Sequence, residues 1–192
     1  MSAICIIPAR GGSQRIPRKN IKMFHGKPII AYSIEAAHKT EKFGRVVVTT
    51  DDKEIASVAW DYGAQVDLRP PEEAQNEIGT QEVMGKCLQR LDVRDGHACC
   101  IYATSPLMSY LDVRYSHADL CQDGIDYVFS VTTAGTCVAD AGQWYWGEVD
   151  AFIRRRPLIG GRTRMRRIPD KRFCDINTPE DWARAEQMYA AL

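Results

Sequence analysis

The amino-acid sequence predicts an α/β fold, a mainly parallel sheet flanked by helices. Short runs rich in β-branched residues recur along the chain, segments of helical period separate them, and capping residues sit at the joints.

The first run, Ile4–Ile7, stops at Pro8. Pro28–Lys39 reads as a helix, because Ile30, Ile34 and Ala37 share a face and Pro28 suits a first turn. Arg45–Thr50 (RVVVTT) is the next strand. Asp51–Tyr62 is the next helix, with Ile55, Val58 and Ala59 inward and Gly63 as its C-cap. Gly79–Leu91 and Asp112–Cys121 have helical period, and Ala98–Tyr102 (ACCIY) and Tyr127–Val131 (YVFSV) read as strands. Beyond Val131 the alternation weakens. Thr132–Asp140 is expected as a loop, Gln143–Trp146 as a short strand, Glu148–Arg154 as a short helix and Arg162–Ile168 as a strand. A final helix starts at Pro179, with Thr178 as N-cap and Glu180 and Asp181 in its first turn. No repeat, low-complexity tract or linker interrupts the chain, so a single domain over residues 1–192 is expected.

Lys plus Arg balance Asp plus Glu at 25 each, which argues against a general nucleic-acid binder or a membrane-coating protein. No apolar run is long enough to span a bilayer, and the N-terminus enters a short strand without the features of a signal peptide, so a cytoplasmic location is expected. Seven cysteines include no CxxC. His25, His38, His97 and His117 show no zinc-ligand spacing, so reduced buried thiols are expected rather than a metal or disulfide site.

The stretch IIPARGGSQRIPRKN, residues 6–20, joins a strand, a glycine turn and four cations, Arg10, Arg15, Arg18 and Lys19. Those are the parts needed to hold a polyphosphate. Backbone N–H groups at Gly11–Ser13 would face phosphate oxygens, with Arg10 and Lys19 supplying charge. The position suits it, since open α/β sheets bind ligands beyond the carboxyl ends of their strands. Neither G-x-G-x-x-G nor GxxxxGK[ST] occurs, and Gly26-Lys27 is followed by Pro28. The alternative is a solvated basic loop.

IIPARGGSQRIPRKNI with HGKPIIAYSIEAA resembles the opening of the CMP-sialic acid synthetases, the acylneuraminate cytidylyltransferases. TTDDKEIASVAWDYGAQV, LRPPE, IYATSPL, DYVFSVT, DAGQWYWG and DINTPEDW keep that family's order, and together they look most like its pseudaminic acid branch. The resemblance implies a Rossmann-like nucleotidyltransferase fold. It also implies CMP transfer from CTP to a nonulosonic 2-keto sugar acid, with pyrophosphate release assisted by Mg²⁺ or Mn²⁺.

It further implies that Ala9, Arg10, Gly11, Ser13, Lys19 and Asn20 line the nucleotide site, with Arg69, Thr80, Tyr102, Ala103 and Thr104 around the base. Thr80 read from the sequence alone is a helix N-cap residue. Gln143, Trp144 and Tyr145 are implied near the sugar, against a role in core packing. The family's metal motif, Asp-Ile-Asp-Thr, stands here as Asp175-Ile176-Asn177-Thr178, with the two side chains on one face of an extended segment. Asp51 and Asp52 form another carboxylate pair, yet Asp51 with Glu54 fits helix capping better than a metal.

Three departures bear on activity. Gln14 stands where the family usually has a phosphate-contacting lysine, and Asn177 replaces a metal-binding aspartate. Thr133–Ala139 replaces a long excursion that in relatives contacts the sugar and builds the homodimer. A monomer or a non-standard dimer is therefore expected, and a relative that binds nucleotide without turnover is the alternative to an active enzyme. Residues 154–172 hold eight arginines and one lysine against Asp170. A solvated or phosphate-facing strand fits that segment better than a nucleic-acid surface, since the chain's net charge is zero.

Overall fold

A computed structural model of the protein describes residues 3–75, 77–134 and 137–192. Among them lie strands β1 (Ala3–Pro8), β2 (Met23–Phe24), β3 (Lys27–Pro28), β4 (Phe43–Thr50), β5 (Gln65–Leu68), β6 (His97–Ile101), β7 (Tyr127–Ala134), β8 (Cys137–Glu148) and β9 (Thr163–Arg167). The helices are α1 (Ile29–Lys39), α2 (Lys53–Asp61), α3 (Thr80–Arg90), α4 (Tyr110–Leu120), α5 (Val149–Ile153) and α6 (Pro179–Ala190).

The main sheet runs β5-β4-β1-β6-β8-β7-β9. β5, β4, β1 and β6 run parallel to one another, β8 runs antiparallel to β6 and β7, and β9 is parallel to β7. This is the expected α/β architecture. Alternation along β1 divides the core: Cys5 and Ile7 pack toward α1, α2 and α4, whereas Ile4 and Ile6 pack toward α3 and α5. Cys5, Cys87, Cys99 and Cys100 are buried thiols, as expected for small apolar side chains, whereas Cys121 and Cys137 are exposed and Cys174 is half-buried, against that expectation.

The expected Thr132–Asp140 loop is instead part of a β-hairpin, although Gly135 and Thr136 lie outside the described residues. Thr132 pairs with Ala139 and Thr133 with Val138, so the expected Gln143–Trp146 strand belongs to a longer one. The β-branched Thr132, Thr133 and Val138 suit this ladder.

A smaller cluster joins the C-terminus to the loop after β1. Phe24, Tyr32, Trp182 and Ile176 pack with Ile16, and Phe24 makes edge-on contacts with Tyr32, Trp182 and Tyr189. Phe24 is presented by the β2–β3 ribbon, whose turn uses positive φ at His25 (41°) and Gly26 (89°). α6 starts as expected at Pro179, with Thr178 and Asp181 forming a capping box.

The arginine-rich segment is engaged internally. Arg154 and Arg156 pair with Asp150, Arg156 and Arg162 with Asp126, Arg155 with Glu82, and Arg166 with Asp119. Among the described residues no helix is long and apolar enough to cross a membrane.

Candidate functional site

β1 is the switch point of the sheet: β4 and β5 lie on one side of it, and β6 lies on the other. Beyond the carboxyl ends of β1 and β6 is a cavity of about 370 Å³, where the topology favours a ligand. The loop after β1 contributes Arg10, Ser13, Gln14, Arg15, Lys19 and Asn20 to its lining. Arg69 follows β5, Thr80 opens α3, Tyr102, Ala103 and Thr104 follow β6, and Asn177 precedes α6. Most of the residues expected around the nucleotide and its phosphates therefore share one cavity. Ala9, Gly11 and Asp175 stand beside it rather than in its lining.

The loop's shape comes from its own hydrogen bonds. Gly11 N–H donates to Asp51 Oδ1 (2.9 Å) and Ser13 N–H to the Gly11 carbonyl (2.9 Å). Those two amides are thus occupied, and the expected cradle of N–H groups at Gly11–Ser13 gives way to side-chain cations. Asn20, nearly buried, donates its amide to the Arg10 carbonyl (2.9 Å) and fixes the far end of the loop. The capping expectation for Asp51 shifts by one residue. Asp52 is the N-cap of α2, accepting from the N–H groups of Glu54 and Ile55, which frees Asp51 to hold Gly11. A Cβ on Gly11 would lie 2.6 Å from Asp52 Oδ2, so only glycine lets the loop pass this close to the cap.

The four loop cations divide by role. Arg18 turns away to Asp52 and Glu54, and its hydrogen bonds hold the Asp52 carboxyl down at about 2. Lys19 Nζ donates to the Ile176 carbonyl (2.7 Å) and lines the cavity. Burial lowers its pKa, the neighbouring Asp175 opposes that shift, and Arg15 and Arg10 add to it. Arg15 Nη2 donates to Asn177 Oδ1 (2.9 Å). Arg10 shares the same lining.

Arg69 is the most telling residue in the cavity. It is 6% exposed, and its Nε and Nη1 are buried without a hydrogen-bond partner among the described residues. Burial lowers its pKa. A desolvated guanidinium facing a cavity is costly unless an acceptor arrives there.

Asp175 and Asn177 do fall on one side of their extended segment, with Ile176 buried between them. They are bonded to each other, since Asn177 Nδ2 donates to Asp175 Oδ2. A carboxylate with an amide oxygen suits a hard divalent cation, though with one formal charge instead of two.

A second cavity, about 290 Å³, adjoins the first and shares Thr80 and Tyr102 as its wall. Their hydroxyls share a 2.8 Å hydrogen bond. Gly79, not Thr80, is the N-cap of α3, which leaves the Thr80 side chain available for this contact. Tyr145 lines the second cavity and donates to Asp140 Oδ2 (2.5 Å), its pKa raised by burial first and then by Tyr102 and Asp140. Gln143 is buried and donates to the Arg172 carbonyl, and Trp144 lies in the core, so neither lines these cavities. The readout of the sequence missed the wall formed by Gln75 and Ile78, and also Gln81, Asp140, Phe152 and Leu158 of the second cavity. The Arg-Pro-Pro turn at 69–71 was the available signal for the first wall.

The profile of the cytidylyltransferase family matches residues 4–138. A pseudaminic acid cytidylyltransferase of Campylobacter jejuni subsp. jejuni is 30% identical over 224 positions, covering 98% of this chain and 97% of that protein. That matched stretch exceeds the chain's 192 residues, so the relative carries residues absent here. N-acylneuraminate cytidylyltransferase A of Danio rerio is 30% identical, over 95% of this chain and 49% of its own length. A CMP:2-keto-3-deoxy-manno-octonic acid synthetase solved with CTP shares the fold at a TM-score of 0.81 and 14% identity, covering 100% of this chain and 99% of that one. The match spans the switch-point loop, the strands that frame the cavity and the greater part of the sheet, and the chain belongs to the cytidylyltransferase family.

Proposed function

We propose that the protein transfers CMP from CTP to a nonulosonic 2-keto sugar acid of the pseudaminic or sialic type, releasing pyrophosphate. The observation that carries this reading is the buried Arg69, whose Nε and Nη1 have no hydrogen-bond partner among the described residues, in one cavity with Arg10, Arg15 and Lys19. In such a reaction the sugar's anomeric hydroxyl attacks the α-phosphorus, the bond to the β-phosphate oxygen breaks, and pyrophosphate leaves with its electrons. Holding the reactants and stabilising the phosphate charge are then most of the catalysis.

Arg10, Arg15 and Lys19 face the triphosphate in this reading. Arg69, Thr80 and the Tyr102–Thr104 turn take the nucleoside, and the second cavity with Tyr145 takes the sugar acid. Arg15 supplies the cation that Gln14 lacks. A divalent cation, Mg²⁺ or Mn²⁺, held through Asp175 and Asn177 would offset charge on the phosphates. A second reading, nucleotide binding without turnover, is favoured by one contact: the Asn177 oxygen already accepts from Arg15.

Pyrophosphate release by the unaltered chain, with CTP, Mg²⁺ or Mn²⁺ and a panel of 2-keto sugar acids, separates the readings. A Gln14→Lys, Asn177→Asp double variant is assayed beside it. Sugar-dependent turnover by the unaltered chain is the expected result. Turnover by the double variant alone would establish the binding reading, and failure of both to bind CTP would overturn both.

A further inference from the structure

Away from this site, the fold assembles a cluster that the sequence had seemed to exclude. His97 opens β6, His117 lies in the last turn of α4, and Cys121 caps that helix. His117 and Cys121 are four residues apart, one helical turn, so they share a face. His97 is brought to them by the packing of α4 on the sheet. His97 Nδ1 and His117 Nε2 share a 2.9 Å hydrogen bond, and the ligand atoms of all three residues lie within 4.8 Å of one another.

We propose that His97, His117 and Cys121 form a binding site for a borderline-soft transition metal ion of the Zn²⁺ type, different in chemistry from the oxygen-seeking cation proposed for the nucleotide site. Two imidazoles and a thiolate are donors that such ions prefer, and Mg²⁺ does not. Metal–nitrogen bonds of about 2.0–2.1 Å and a metal–sulfur bond of about 2.3 Å require donor atoms roughly 3.3–3.8 Å apart. The cluster needs sub-ångström to ångström adjustments to reach that geometry.

Further features favour ligation over a plain histidine pair. Two imidazole nitrogens face each other, an arrangement that needs either one shared proton or a cation between them. The His117 ring is packed against Trp146, with ring centroids 4.5 Å apart, which restricts its orientation. His97 and His117 are half-buried whereas Cys121 is exposed, which leaves an entry path and an open fourth coordination position. β6 separates this cluster from Tyr102 at the nucleotide cavity by roughly 16 Å of strand. A bound ion would tie the start of β6 to the end of α4 and would not touch the phosphates.

The test is titration of the chelator-treated full chain with Zn²⁺, and with Co²⁺ as a spectroscopic probe. Cys121→Ser and His97→Gln are measured alongside, together with Asp175→Ala as a control for the nucleotide site. The expected result is one ion bound per chain, with tetrahedral Co²⁺ absorption and a thiolate-to-metal charge-transfer band. Cys121→Ser should lose that band, both cluster variants should bind at least 10–100-fold more weakly, and Asp175→Ala should match the unaltered chain. Cys121 is exposed, so its serine variant is expected to fold normally. Equal Zn²⁺ affinity in the unaltered chain and Cys121→Ser, or a Co²⁺ spectrum without the thiolate band, would overturn the proposal.

Discussion

The Arg15 guanidinium donates to the Asn177 side-chain oxygen across 2.9 Å, joining positions 162 residues apart. The contact joins Asn177, where the resemblance leads one to expect aspartate, to the residue that follows Gln14, where it leads one to expect lysine. An aspartate at 177 would hold Arg15 as an ion pair and cancel its charge. Asparagine holds the same guanidinium through a neutral oxygen and leaves the charge to act on phosphate.

Arg15→Ala is therefore expected to lower kcat by about 10²–10³, the usual loss for one well-placed electrostatic contact. Gln14→Ala should cost less than about tenfold on the same scale. Steady-state pyrophosphate release measures both, and equal losses would show that Arg15 is not the compensating cation.

Arg69→Met should separate binding from folding. The substitution removes a buried guanidinium whose Nε and Nη1 lack partners among the described residues, so the ligand-free variant should melt at or above the temperature of the unaltered chain. Its CTP affinity should fall by about 1.5–3 kcal/mol, the range for a hydrogen bond to a charged group. Calorimetric titration and thermal melts with and without CTP would reveal a contrary result, a variant that unfolds readily yet binds normally.

The pH dependence should carry the mark of Lys19. Burial lowers its pKa, so the charged form is lost at a lower pH than for an ordinary lysine, and the alkaline limb of kcat/KM should begin correspondingly early. In Lys19→Arg the limb should move upward, because a guanidinium keeps its proton. Coincident limbs would remove Lys19 from the phosphate site.

Adjacent glycines should respond differently to alanine. A Cβ at Gly11 meets Asp52 at 2.6 Å, and one at Gly12 meets nothing within 4 Å. Gly11→Ala should destabilise by about 1–3 kcal/mol through overpacking, and Gly12→Ala should stay within about 0.5 kcal/mol. Urea unfolding midpoints at constant slope decide the matter.

The parts legible in the sequence were those governed by local pattern. β-branched runs gave the parallel strands, and Thr178 with Asp181 gave the start of α6. What could not be read depended on contacts distant in the chain. Asp51 looked like the cap of α2, but Asp52 takes that place because Asp51 is engaged by Gly11, which approaches from 40 residues away. Arg10 and Lys19 were read as the phosphate cations, whereas the division between Arg15, which meets Asn177 beside the cavity, and Arg18, which turns to Asp52, depends on contacts distant in the chain. Thr132–Asp140 looked irregular because β8 supplies the partner that makes it a strand. His97 stood apart from His117 and Cys121 in the sequence, and only the packing of α4 on the sheet unites them.

Thr80 and Tyr102 form the wall common to both cavities, and their hydroxyls are bonded to each other. Whatever moves that wall from one side alters the energy of occupying the other. Such an arrangement obeys thermodynamic reciprocity: the factor by which the first ligand tightens the second equals the factor by which the second tightens the first. The partition between the cavities would then also act as a coupling element, and its strength would be read as the ratio of two dissociation constants for one ligand, measured with and without the other.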